Sequence, residues 1–220
     1  MRNIVQIALD GPAGAGKSSV AKAVAKKMDF HYLDTGKMYR ALAYFILQNH
    51  LDISDDEKIA SMLKLITLDI QKDSIFINGE DITNFVRSPE VTQFVSTVAE
   101  KKTIREFLVA KQQEIARTKN IVMDGRDIGT VVLPHATFKF YLDATPEERA
   151  SRRLRDMNLD ETHLNRIKEE IIKRDEKDKN RTIDPLLQAE DAIYIDTSNL
   201  TFDEVVEKII NIVKKNKTEI

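Results

Sequence analysis

Cysteine is absent from the 220 residues, which excludes both a disulfide framework and a thiolate zinc site. Histidine is scarce: the four, His31, His50, His135 and His163, are too scattered for a short metal motif. An excess of one charge is also missing, because 34 basic and 36 acidic side chains leave a formal net charge of −2. The broad basic field that draws a protein to nucleic acid is therefore not expected. No window holds the ~18 consecutive apolar residues of a membrane span, and the opening MRNIVQIALDG is too short for a secretory segment. Internal repeats and low-complexity linkers do not occur. These absences predict a cytoplasmic globular protein, with neither a nucleic-acid nor a membrane partner, long enough to bury a sizeable core.

What is present has a rhythm. IVQIAL reads as a short buried strand, and after the glycines Val20, Val24 and Met28 recur at helical spacing. FHYLD forms a second strand ahead of the helical GKMYRALAYFILQN, and NIVMD, FKFYLD and AIYIDT read as three more strands. Strands alternating with helices predict an α/β fold with a mostly parallel sheet covered on both faces. Residues 50–100 break the pattern. There the polar LDISDDEK leads to a helical run, then to SIFINGEDI with a turn at Asn78-Gly79, then to SPEVTQFVSTVAE with Ser88 as N-cap and Pro89 as first helical residue. We read 1–220 as one unit: a core of 1–49 and 101–220, and a smaller insert at 50–100. Thr145 with Glu148, and Thr201 with Glu204, have the form of capping boxes. They predict helices over ERASRRLRDM, where Arg149, Arg152 and Arg153 share a face, and over VVEKIINIV, where Val205, Ile209 and Val213 read as core.

GPAGAGKS, residues 11–18, is glycine, four residues, glycine, lysine and serine, set between a strand and a helix. This is the pattern of a phosphate-binding loop. Gly11, Gly14 and Gly16 permit a tight path, so that the backbone of Gly11, Pro12, Ala13, Gly14, Ala15, Gly16, Lys17, Ser18 and Ser19 can wrap the phosphates of ATP at a positive helix end. Lys17 would set its ammonium by the outer phosphates, and Ser18 offers the hydroxyl that such loops hold near Mg2+. A guanine-selective N-K-x-D loop is missing, which counts against a GTPase.

Further charge suggests a second anion. LDTGKMYR at 33–40 and MDGRD at 123–127 place Asp34, Arg40, Asp124, Arg126 and Asp127 at strand ends, where ligands of open α/β sheets gather. In IIKRDEKDKNR, read as helix, Arg174, Asp178 and Arg181 fall at i, i+4 and i+7, beside Lys173, Lys177 and Asn180. Three arginine-bearing segments together with a phosphate loop favour transfer between two phosphate-bearing ligands. Another nucleoside monophosphate or small-molecule kinase would share the loop and differ in the acceptor pocket, and a nucleotide-gated interaction protein would instead capture a partner with ATP and turn over no monophosphate.

GPAGAGKSS, LDTGKMYR, MDGRDIGTVV and KRDEKDKNR, in this order and spacing, resemble the bacterial cytidylate kinase family over nearly the whole chain. The resemblance implies transfer of the γ-phosphoryl of ATP to CMP or dCMP with Mg2+, by a cytoplasmic and usually monomeric enzyme. It implies a five-stranded parallel sheet in the order 2-3-1-4-5 with helices on both faces, an acceptor-binding insert, and a helical lid at about 147–180. By the same resemblance Arg40, Arg126 and Arg181 clamp the acceptor phosphate, with Thr35 nearby as a hydroxyl donor. Ser96, Arg105 and Asp127 meet cytosine, and Asp178 meets the sugar. Arg174 comes from the lid over the transferring phosphoryl, Arg149, Arg152 and Arg153 belong to the lid, and Asp124 lies by the waters of the ion. The chain departs from the family in having Ser18-Ser19 after the loop lysine, where glycine and a hydroxyl residue are common.

Overall fold

The computed structural model describes residues 4–71 and 73–217. In chain order the elements are β1 (Gln6–Asp10), α1 (Lys17–Met28), β2 (His31–Asp34), α2 (Thr35–Gln48), α3 (Asp56–Leu65), β3 (Leu68–Gln71), β4 (Ser74–Ile77) and β5 (Glu80–Asp81). There follow α4 (Pro89–Glu100), α5 (Lys102–Ala116), β6 (Ile121–Asp124), a π-helical turn (Ile128–Val132), β7 (Phe138–Asp143) and α6 (Pro146–Asp156). A 3-10 turn (Glu161–His163), α7 (Leu164–Asn180), β8 (Ile193–Asp196) and α8 (Phe202–Lys217) complete the chain. It divides into two compact units: one holds the residues up to Leu33 and from Ala116 onward, the other Asp34–Ile115.

The first unit is built on a five-stranded parallel sheet in the order β2-β6-β1-β7-β8, the expected 2-3-1-4-5. Leu9 of β1 stands opposite Asp124 of β6 and Phe140 of β7, and Leu142 of β7 opposite Ile195 of β8. Central strands buried on both faces read as near-continuous apolar runs, as in IVM of β6 and FYL of β7, while the buried Lys139 of β7 is satisfied by Pro134 O and Asp191. Val20 and Val24 of α1 and Val205, Ile209 and Val213 of α8 share one hydrophobic core with Ile7, Leu9, Phe140 and Ile195. Each such side chain contributes about 1.5–3 kcal/mol when fully buried.

Helix ends follow their local signals, with one exception. Thr201 and Glu204 form the complete capping box, each side chain accepting from the other's backbone N–H. At Thr145 only half of it forms. Its hydroxyl accepts from Glu148 N, but Thr145 N donates to Ser198 Oγ while Glu148 accepts from Arg152. The guanidinium on the next turn competes for the carboxylate and wins.

The second unit carries α2, α3, the antiparallel sheet β3-β4-β5, α4 and α5, and so takes in helices on both sides of 50–100. Ser88 caps α4 by accepting from Val91 N, with Pro89 in the first turn. Asn78 and Gly79 both have positive φ, 50° and 83°, the backbone of the tight turn that joins twisted antiparallel strands. Along α2, Met38, Leu42 and Ile46 are buried.

Candidate active site

The phosphate loop owes its course to close packing. Gly11 has φ of 143°, and a Cβ there would stand 1.9 Å from Leu142 O on β7, so no other residue fits this approach. The loop then turns into α1 at Gly16, φ 81°. Lys17 is buried, and its Nζ donates to Pro12 O at 2.6 Å across the loop. Burial, followed by the nearby Arg126, pushes the Lys17 ammonium down to about 7, against the pull of Asp124, Asp10 and Asp175.

Behind the lysine stands Asp124 at the end of β6, buried and accepting from Ser18 Oγ at 2.6 Å and Tyr32 Oη at 2.9 Å. Asp10, at the end of β1, accepts from Ile128 N at 2.8 Å and Gly129 N at 2.7 Å. Burial raises the Asp10 carboxyl to about 6 even though those two amides oppose the shift. These bonds fasten the start of the π-helical turn, which Leu133 N closes onto Ile128 O at 2.6 Å. Such turns are rare and occur frequently at functional sites.

The arginines meet carboxylates that the chain's order does not suggest. Arg126 Nε donates to Asp178 Oδ2 at 2.8 Å, and Arg181 Nη2 lies 3.6 Å from Asp127 Oδ2. For Asp178, burial opposes ionisation, but Arg126 and Arg174 outweigh it and hold the carboxyl below the usual range. Burial, then Arg126, lowers Arg174 to about 10, and its Nε is buried without a hydrogen-bond partner among the described residues. The expectation that Arg181 continues the helical face of Arg174 and Asp178 is corrected. α7 ends at Asn180, and Arg181 is its extended C-cap, with ψ of 142°. The buried stripe of α7 is Ile167, Ile171, Asp175 and Asp178.

The α6 arginines also differ from a solvated face. Arg149 is 5% exposed and donates to Ala13 O, Ala144 O and Asp175, while Arg152 donates to the hydroxyl and carbonyl of Thr197. In the second unit Arg40 donates to Thr92 Oγ1 at 2.8 Å. Arg105, buried on α5, donates to Ala99 O at 3.2 Å and stands 5.7 Å over the Tyr39 ring. Thr35 is buried and Ser96 half-buried.

Asp10, Tyr32, Asp175 and the anchoring role of Arg149 escaped the sequence reading. A signal existed for two of them. Asp10 closes an apolar strand, and Asp175 stands four residues after Ile171 on the apolar stripe of its helix; a carboxylate in either place needs a partner.

A parallel sheet whose first strand runs into a glycine-bent phosphate loop, with a buried lysine and a Ser–Asp pair beside it, defines a phosphate-loop nucleotide-binding fold. In solved structures the same fold occurs in an uncharacterized protein from Eubacterium ventriosum (TM-score 0.55, 12% identity, 96% of this chain and 98% of that one). It occurs again in shikimate kinase from Bacteroides thetaiotaomicron (TM-score 0.50, 16% identity, 96% and 99% coverage). The sequence profile of cytidylate kinase matches residues 7–215. The cytidylate kinase of Geobacillus sp. is 47% identical over 98% of this chain and 99% of its own. That of Bacillus cereus is 46% identical over 95% and 96%. The chain belongs to the cytidylate kinase family.

Proposed function

We propose that this enzyme transfers the γ-phosphoryl of ATP to CMP or dCMP, giving ADP and CDP or dCDP. The observation that carries the reading is the meeting of Arg126, from the turn after β6, with Asp178 of α7 beside the phosphate loop's own lysine. With Arg174 of α7, which Arg126 also feels, cationic side chains from three segments come within electrostatic reach of one another. An acceptor phosphate oxygen forms the new bond to the γ-phosphorus as the bond to the β,γ-bridging oxygen breaks, and ADP departs with that electron pair. A phosphate monoester is already ionised near neutral pH, its second pKa being ~6, so no side chain has to remove a proton. Lys17, Arg126, Arg174 and Arg181 act by alignment and by stabilising the charge that spreads over the transferring oxygens.

From the motifs we assign Arg40, Thr35, Arg126 and Arg181 to the acceptor phosphate, and Ser96, Arg105 and Asp127 to cytosine. Asp178 serves the sugar. The stretch 50–100 serves the acceptor, and 147–180 is the lid. Among the described residues no three carboxylates or histidines gather into a metal cage, so Mg2+ would depend on phosphate and water for most of its ligands. Ser18 Oγ and the Asp124 carboxylate suit such a hard cation, with Asp124 acting through water. The ion would supply charge neutralisation between the outer phosphates. We further infer a cytoplasmic monomer acting on small molecules. No helix among the described residues is long and apolar enough to cross a membrane.

Coupled measurement of ADP release with CMP, dCMP, UMP, dTMP and AMP tests the reading. CMP and dCMP should be preferred. ATP consumption at the same rate with and without any acceptor would instead make this an ATPase.

A further inference from the structure

Both polar groups of one phosphate-loop residue are held by side chains from far along the chain. Ala13 N donates to Asp175 Oδ1 at 2.9 Å, and Ala13 O accepts from Arg149 Nη1 at 2.9 Å. The same Nη1 donates to Asp175 Oδ2, closing a three-cornered network, and Arg149 Nε is anchored on Ala144 O at 2.9 Å. Arg149 comes from α6 and Asp175 from α7, and both are more than nine-tenths buried. The backbone of α6 is close as well: a Cβ on Gly14 would lie 3.1 Å from Arg149 Cβ and 3.2 Å from Arg149 O.

Burying two charges is a poor route to stability, since desolvation offsets their attraction. What the pair supplies is fixed geometry. Asp175 follows Arg174 directly, and Asp178 lies one turn further on the same buried stripe. A single turn of α7 therefore has one carboxylate on the donor loop and another on Arg126. Two attachments at different points of one helix block its rotation about its own axis. They also set the direction of Arg174, whose buried Nε has no hydrogen-bond partner among the described residues.

We propose that Arg149 and Asp175 are a positioning pair. They register α7 against the phosphate loop, so that Arg174 is held where the transferring phosphoryl passes. The inference rests on the phosphoryl-transfer reading above and adds to it the group that orients the lid arginine. It places the requirement on kcat, because acceptor recognition lies with other residues.

The test compares Asp175→Asn, Arg149→Lys and the double variant with the wild type, counting sites by titration with a fluorescent ADP analogue. Asn can still accept from Ala13 N but offers no carboxylate to the guanidinium, and Lys keeps the charge without the fork. A misplacement of about 1 Å can cost on the order of a hundredfold. The kcat per titrated site should accordingly fall about thirtyfold in each single variant, with KM for CMP moving less than about threefold. Because the two residues act through each other, the double variant should be about as slow as either single one. Should Asp175→Asn fail to fold, Arg149→Lys supports the same comparison. A variant with lowered Tm but unchanged kcat per site would reduce the pair to a structural staple, and a rise in KM for CMP at constant kcat would also overturn the proposal. A wild type inactive toward every monophosphate would sink the transfer reading instead. The pair would then be judged by ADP-analogue affinity, which should weaken severalfold in both single variants, and equal affinity would refute it.

Discussion

Asp127 and Lys17 show how far one side chain's surroundings define its work. Asp127 is 5% exposed, and Arg181 Nη2 stands 3.6 Å from its carboxylate. An ionised carboxylate accepts from the C4 amino group of cytosine but meets a repelling carbonyl in uracil. An unpaired buried polar group costs about 1–3 kcal/mol, so this edge alone can discriminate about tenfold to a hundredfold. Asp127→Ala should lower kcat/KM for CMP much more than for UMP, with ATP affinity little changed. Equal losses for both acceptors would leave Asp127 as the partner of Arg181 and nothing more. Lys17 makes a different prediction. With its pKa at about 7 in the free protein, much of it is neutral at pH 7.5, and a bound triphosphate must raise that pKa by favouring the ammonium. Binding should thus take up a proton, and affinity for a nonhydrolysable ATP analogue should fall as pH rises above 7. Calorimetry in buffers of different ionisation enthalpy at pH 7.5–8 measures the uptake, since the analogue's own phosphate has largely ionised by then. Release of protons in that range would contradict the assignment.

At the scale of elements, the stripes that hold helices to the sheet set stability, and the charged ends set chemistry. α8 presents Val205, Ile209 and Val213 to the core shared by β1, β7 and β8, and it carries none of the proposed site residues. Ile209→Ala should cost about 2–5 kcal/mol by lost transfer energy and an unfilled cavity, read as a shift in urea midpoint at constant m value. Its kcat/KM per folded molecule should stay near the wild-type value. α7 has the opposite character: its stripe begins with Ile167 and Ile171 and ends with Asp175 and Asp178. The apolar half packs on Ala150 and Leu154 of α6, leaving the acidic half to reach the loop and Arg126.

For the whole molecule, the proposed donor site belongs to the unit that holds the residues up to Leu33 and from Ala116 onward. A ligand that binds only the folded state stabilises that state by mass action. A nonhydrolysable ATP analogue at about a hundred times its Kd should therefore add about 2.7 kcal/mol to the unfolding free energy. Lys17→Ala should abolish most of that gain at the same analogue concentration. An equal gain in the variant would remove Lys17 from the donor site.

By itself the sequence determined what depends on near neighbours: the order of the five parallel strands, the Asn78-Gly79 turn, the apolar stripes of α1 and α8, and the phosphate loop, while β3 and α5 went unread. Each of these follows from a period or spacing of a few residues, and the chain's local geometry reads it directly. Only the tertiary structure decided which carboxylate answers which guanidinium. Ala13 and Asp175 are 162 positions apart, and Arg126 and Asp178 are 52 apart. Charges of opposite sign are plentiful in this chain, so composition leaves their pairing open, and a buried ion pair depends on atoms brought within ~3 Å by packing elsewhere. The same holds where Arg181 leaves the helix. Arg181 answers Asp127, a partner 54 positions away that only the folded chain supplies, whereas Glu148 turns from its cap to Arg152 within its own helix, where two local preferences compete for one carboxylate.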